Sequence, residues 1–206
     1  MAVAEAIEPP VAASEPEAAP GFLGLARRHF TVDEVMRMLE AGILGEDEPV
    51  ELRQGELFLM SPQSPQHAGL TDQLAEVLTE CFGQGYRVRL HSPISCGPED
   101  LPEPDIAVVE GARGSFRSRH PEGKELALLV EISSSSRRKD HRKAGLYARW
   151  GVDHYWLIDL EQQRLEVHTE PRADGGYGLV HILDPGQRVE VPGTGTELDV
   201  SAVLGL

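Results

Sequence analysis

Between Leu126 and Lys143 the chain runs from apolar residues through one carboxylate into serines and then bases: Leu-Ala-Leu-Leu-Val-Glu-Ile, four serines, and Arg-Arg-Lys-Asp-His-Arg-Lys. A short apolar run with polar boundaries reads as a buried strand, although periodicity alone leaves a helix open. Glu131 then stands at the end of that strand, at the rim of a core. From Asp140 to Trp150 the residues Lys143, Leu146, Tyr147 and Trp150 recur at steps of three, one and three, which is one face of a helix. Lys143 opens the inward stripe. An amine there either snorkels to water from the core's edge or points at something negative beside Glu131.

The flanking segments define what this unit packs against. Thr31-Val32-Asp33-Glu34 has the form of a capping box, and Val32, Val35, Met36 and Leu39 follow on one face, so a short helix runs to about Ala41. Val50 to Arg53 and Glu56 to Met60 flank Gln54-Gly55 as a hairpin. Ser61 to Pro65 interrupts regular structure. From Gln66 to Phe82 the residues Leu70, Leu74, Val77, Leu78 and Cys81 predict a long helix with His67 in its first turn.

Tyr86 to Leu90 alternates as a strand, and Pro104-Asp105 opens a second buried strand, Ile106 to Val109. Residues 111–124 form a loop with Arg113, Arg117, Arg119 and Lys124, either a substrate-contacting flap or a tolerated insertion. Gly151 ends the central helix. His154 to Asp159 is a further strand, and 164–168, 178–182 and 188–191 follow as a meander before a short closing helix, Leu198 to Leu204. This order predicts an α+β or mixed α/β fold with a central sheet flanked by helices, an additional N-terminal hairpin and C-terminal antiparallel strands. Residues 1–20, built from Ala, Pro, Glu and Val, read as a disordered acidic tail, and 21–206 as one domain.

Composition narrows the functional classes. The net charge of −15 argues against a broadly basic nucleic-acid binder. Yet residues 137–149 hold Arg137, Arg138, Lys139, Arg142, Lys143 and Arg149 against Asp140 alone. Such a patch suits a phosphate backbone or is simply a solvated helix start. Cys81 and Cys96 lack both a CxxC spacing and a disulfide-framework count, so reduced thiols and no zinc site are expected. No apolar stretch approaches a membrane span and no signal-peptide pattern opens the chain, so a cytoplasmic location is expected.

Asp105 at the start of one strand, Glu131 at the end of another and Lys143 on the next helix form the constellation that carries chemistry. If the two strands are neighbours, both carboxylates converge on a hard cation, for which oxygen ligands suit Mg²⁺ or Mn²⁺. Such an ion polarises a phosphate and lowers the pKa of water, and Lys143 would offset charge on the phosphoryl oxygens or orient the attacking water. Taken singly, a strand-end Asp or Glu usually caps a turn or pairs with a surface base.

These residues also resemble a known family. Pro104-Asp105, Val130-Glu131-Ile132-Ser133-Ser134, Arg137-Arg138 with Asp140, Lys143, Leu146-Tyr147-Ala148 and Gly151 to Trp156 closely resemble the Uma-type putative restriction endonuclease family of the PD-(D/E)XK superfamily. Upstream, Glu51-Leu52, Gly55-Glu56-Leu57, Met60-Ser61-Pro62, Pro65 and His67 resemble the same family's hairpin and helix. The resemblance spans roughly 30–205.

It implies a restriction-endonuclease-like core in which Asp105, Glu131 and the main-chain carbonyl of Ile132 bind Mg²⁺ or Mn²⁺, with Asp105, Glu131 and Lys143 catalytic. The superfamily's usual lysine, two residues after the glutamate, is replaced by Ser133. Members of this family carry the lysine on the following helix, where Lys143 matches. Ser135 and Ala144 also depart from the pattern, away from the site. His67 and Glu51 match positions near the site. Asp140, one turn before Lys143, orients that lysine or favours the helix start. The resemblance further implies a nucleic-acid substrate, DNA first, and a homodimer, while the basic cluster itself offers Arg137, Arg138, Lys139 and Arg142 as contacts to it. The alternative is a catalytically inactive protein that keeps the fold to bind nucleic acid or a partner. A purely structural interaction module is a third reading.

Overall fold

The computed structural model describes residues 27–45, 47–112, 114–134 and 137–206, with the side chains of 137–142 outside the described set. The expected tail, Arg113 and the side chains of Arg137, Arg138, Lys139, Asp140 and Arg142 therefore lie outside the described residues.

Thr31 accepts the Glu34 N–H while the Glu34 carboxylate takes the Thr31 N–H, and this reciprocal cap starts α1, Val32–Glu40. Strands β1 (Val50–Arg53) and β2 (Glu56–Leu59) pair antiparallel. Gln54 at φ 48° and Gly55 at φ 73° form the mirror-image two-residue turn that matches strand twist. Val35, Leu44, Leu52 and Leu101 give α1 and the hairpin a small core of their own.

Ser64 caps α2 by accepting the His67 N–H, and Pro65 takes the first helical position, where its missing N–H costs nothing. Helix α2 thus spans Pro65–Phe82, one residue longer than periodicity predicts.

Six strands form the central sheet: β3 (Tyr86–Leu90), β4 (Ile106–Glu110), β5 (Leu126–Ser133), β6 (His154–Asp159), β7 (Arg164–Arg172) and β8 (Gly176–Leu183), in the order β3-β4-β5-β6-β7-β8. Only β5 and β6 pair in parallel. That pair requires a crossover, and α3 (Arg137–Arg149) supplies it. The helix ends in a left-handed cap at Gly151, φ 73°, with the Val152 N–H bonded to the Tyr147 carbonyl at 3.1 Å.

Each face of the sheet has its own core. Leu70, Leu74 and Leu78 of α2 pack on Ile106, Leu128, Val130 and Trp156, whereas Leu146 and Tyr147 of α3 pack on Ala107, Leu129, Tyr155 and Leu157. The alternation follows from strand geometry.

Four expectations need correction. Glu131 does not end its strand, because Ile132 and Ser133 still find parallel partners in Ile158 and Asp159. Trp150, the last member of the α3 stripe, is 42% exposed, since the helix stops at Arg149. At the C-terminus the meander stops at β8: β9 (Arg188–Val191) leaves the sheet and pairs with β10 (Thr196–Asp199). Asp199 ends β10 and caps α4 (Val200–Val203) by accepting the Ser201 N–H, so Leu198 and Asp199 are strand rather than helix.

No helix among the described residues is long and apolar enough to cross a membrane. Cys81 and Cys96 are free thiols.

Candidate active site

Ile106 of β4 pairs with Val130 of β5, so Asp105 and Glu131 stand one position further along two adjacent strands. Both are buried. Asp105 Oδ2 accepts the Ile132 N–H at 2.7 Å, which locks the acid to the neighbouring strand. Three side chains surround it: His67 Nε2 lies 3.2 Å from Oδ2, while His91 Nδ1 and Gln63 Nε2 lie 3.7 and 3.5 Å from Oδ1.

His67 ties two of these groups together. Its Nε2 also bonds the Ile132 carbonyl at 3.0 Å, the main-chain oxygen that follows Glu131. The hydrogen bond to Asp105 raises the His67 pKa against the opposing effect of burial.

Glu131 projects to the α3 side. Its Oε1 accepts from the Lys143 amine at 2.9 Å and from the Tyr147 hydroxyl at 2.6 Å. The spacing of four residues between Lys143 and Tyr147 stacks both donors on one helix face. Burial, reinforced by the charge of Asp105, pushes Glu131 up to about 7, with Lys143 and Tyr147 pulling the other way. Burial works against the Lys143 ammonium, but Glu131 and Glu51 outweigh it and hold the amine above its ordinary range.

Glu51 completes the network from the hairpin. It is 1% exposed, its Oε1 lies 3.7 Å from Lys143 Nζ and accepts the Glu103 N–H at 3.2 Å, and its Oε2 pairs with Arg53. Arg53, Glu51, Lys143 and Glu131 therefore alternate in sign from the hairpin to the sheet, which limits the cost of burying each charge.

The predicted Asp105, Glu131, Lys143, His67, Glu51 and Ile132 carbonyl thus gather in one region, whereas Asp140 and the basic side chains of 137–142 cannot be placed against them. Sequence reasoning missed Gln63, His91 and the bond from Tyr147. Gln63 sits in a proline-bounded loop without periodicity, and His91 follows β3 at φ 43°, a conformation invisible in composition. Tyr147 was legible only as an apolar member of the helix stripe.

Among the described residues, no group of three or more His, Cys, Asp and Glu side chains is placed to hold a metal ion by side chains alone. Two carboxylates and a main-chain carbonyl on adjacent strands are the oxygen donors that would suit Mg²⁺, an ion that commonly keeps several of its waters. The fit is also electrostatic, because the buried Glu131 carboxylate, whose proton affinity burial and the neighbouring Asp105 charge raise, would be relieved by a cation.

A model of the family described as "Uma2: Putative restriction endonuclease" matches residues 32–201. The chain belongs to the Uma2 family. Among solved structures, a protein from Anabaena variabilis titled a putative nuclease of DUF820 is similar over 85% of this chain and 98% of that one, at 20% identity and a TM-score of 0.67. That likeness bears on the fold, and a mixed α+β Uma2 architecture is what the strands and helices display. No curated protein matches the chain.

Proposed function

We propose that this Uma2 chain is a divalent-metal-dependent endonuclease that hydrolyses phosphodiester bonds in nucleic acid, DNA first, with Asp105, Glu131 and Lys143 as its catalytic residues. Family membership supports a nuclease. The observation that carries the reading further is the approach of Lys143 Nζ to Glu131 Oε1, 2.9 Å, beside an Asp105 bonded to the next main-chain N–H.

Asp105, Glu131 and the Ile132 carbonyl would hold Mg²⁺ or Mn²⁺. When bound, the ion polarises the phosphate and makes a nucleophile available at neutral pH. The chain's own residues do the rest. His67 fixes the Ile132 carbonyl and Asp105, Tyr147 fixes Glu131, and Glu51 keeps Lys143 charged. The Lys143 ammonium is then available to the phosphoryl oxygens as negative charge accumulates on them. Arg137, Arg138, Lys139 and Arg142 are proposed backbone contacts, and a second copy would address the opposite strand of a duplex.

Supercoiled plasmid incubated with the purified protein and Mg²⁺ or Mn²⁺ tests the reading. Nicked and linear products are expected, abolished by chelator and by Asp105→Asn or Glu131→Gln. Cleavage unaltered by both substitutions, or no cleavage together with no Mn²⁺ binding by calorimetry, would overturn it and leave the non-catalytic binding protein as the better account.

A further inference from the structure

Several cations among the described residues have counter-ions. Arg27, Arg28, Arg53, Arg119, Arg164 and Arg188 each lie within 4.0 Å of a carboxylate. Arg89 does not. Among the described residues no acid pairs with its guanidinium, its Nε is shielded from water without an acceptor, and its surroundings are half-buried. Burial alone holds its pKa below the ordinary value, with no carboxylate restoring it. A partly desolvated guanidinium without a partner is a cost that an anion would remove.

Its position says which anion. Arg89 pairs with Ala107 across β3 and β4, and Ala107 belongs to the core beneath α3, the same side of the sheet as Glu131. Asp105 lies two residues from Ala107, roughly 7 Å along the strand. The loop after β4 fixes the guanidinium in place, since the Phe116 ring sits 5.8 Å from Arg89 and 5.2 Å from Arg119. Arg119 is spoken for by both oxygens of Glu125, at 2.7 and 2.6 Å. His120 is held below its ordinary pKa by burial and by the charge of Arg89, so it is neutral and brings no second cation.

We infer that Arg89 is a substrate-positioning residue whose guanidinium binds a backbone phosphate flanking the one addressed by Asp105 and Glu131. This rests on the nuclease reading for the identity of the anion. It makes β3, not the start of α3 alone, a wall of the nucleic-acid path.

The test is binding of a fluorescein-labelled DNA duplex to the full chain by anisotropy, with Ca²⁺ in place of Mg²⁺, across a salt series. Arg89→Gln should weaken binding roughly 10-fold and reduce the salt slope by about one, whereas Arg119→Gln should change it less than 3-fold. Arg89→Lys should recover the slope and part of the affinity. Thermal melting verifies that each variant folds. In the unsubstituted protein, the Arg89 guanidinium resonance should shift on adding duplex, a readout that needs no variant. Wild-type affinity and slope in Arg89→Gln with no such shift would overturn the inference while leaving the nuclease reading intact. A wild-type protein that neither binds nor cuts DNA would overturn both.

Discussion

The Tyr147 hydroxyl donates to Glu131 Oε1 at 2.6 Å, the same oxygen that receives Lys143 at 2.9 Å. One helix therefore supplies both a neutral and a charged donor to a single carboxylate atom, leaving Oε2 without a hydrogen bond among the described residues. The acid is held by one oxygen and presents the other.

Removing the neutral donor tests that division. Tyr147→Phe should destabilise the protein by about 1–3 kcal/mol, because a buried carboxylate loses a partner. Cleavage should fall roughly 10–100-fold while Mn²⁺ affinity changes in parallel. Chemical denaturation with rate and calorimetric measurements on one preparation checks all three.

Lys143→Met should lower the cleavage rate by about 100–1,000-fold, the scale expected when one donor to a developing oxyanion is lost. Lys143→Arg should recover less than its charge suggests, since a planar guanidinium does not fit where a compact ammonium sits between Glu131 and Glu51. Single-turnover kinetics at saturating metal separates this from weakened binding.

Gly55→Ala should destabilise by about 1–3 kcal/mol, because φ is 73° and an added Cβ would meet His29 Cβ at 2.3 Å. Activity should drop further than in an equally destabilised surface variant, since the hairpin carries Glu51. Comparing melting midpoints with cleavage rates shows the difference.

Glu125 supplies a pH signature independent of the site. Its hydrogen bonds from Arg119, then from the Glu122 N–H, hold its pKa down to about 2. A depressed carboxylate contributes stability that is present above its unfolded pKa of about 4.3 and lost as pH falls toward the folded value. Urea midpoints should decline across that window, and Arg119→Gln should flatten the decline.

Thiol chemistry should distinguish the two cysteines. Cys96 is fully buried and burial pushes its pKa far up, so it should react with a thiol-specific reagent only on unfolding. Cys81, partly exposed and raised less, should react slowly in the native protein. Mass spectrometry of labelled peptides decides.

The elements with strong local codes were legible in the sequence: the Thr31 capping box, the Gln54-Gly55 turn, the α2 periodicity, the Leu126 run and the Gly151 cap. Asp105, Glu131 and Lys143 could be singled out because charged residues interrupted apolar runs. What stayed hidden depends on pairing across the chain. Ser133 looks like loop until Asp159 is placed beside it, and the departure of β9 from the sheet is decided by its partner, Thr196–Asp199, not by its own alternation. His91 and Gln63 belong to loops whose approach to Asp105 no period encodes.

Glu51 reaches the sheet from a layer with its own small core, so the N-terminal hairpin is coupled to the proposed catalytic region through a buried charge chain as well as through its backbone bonds to residues 99–103. Occupancy of that region should therefore be felt at a distance: amide exchange in residues 50–59 should slow when the acids are neutralised by a bound cation.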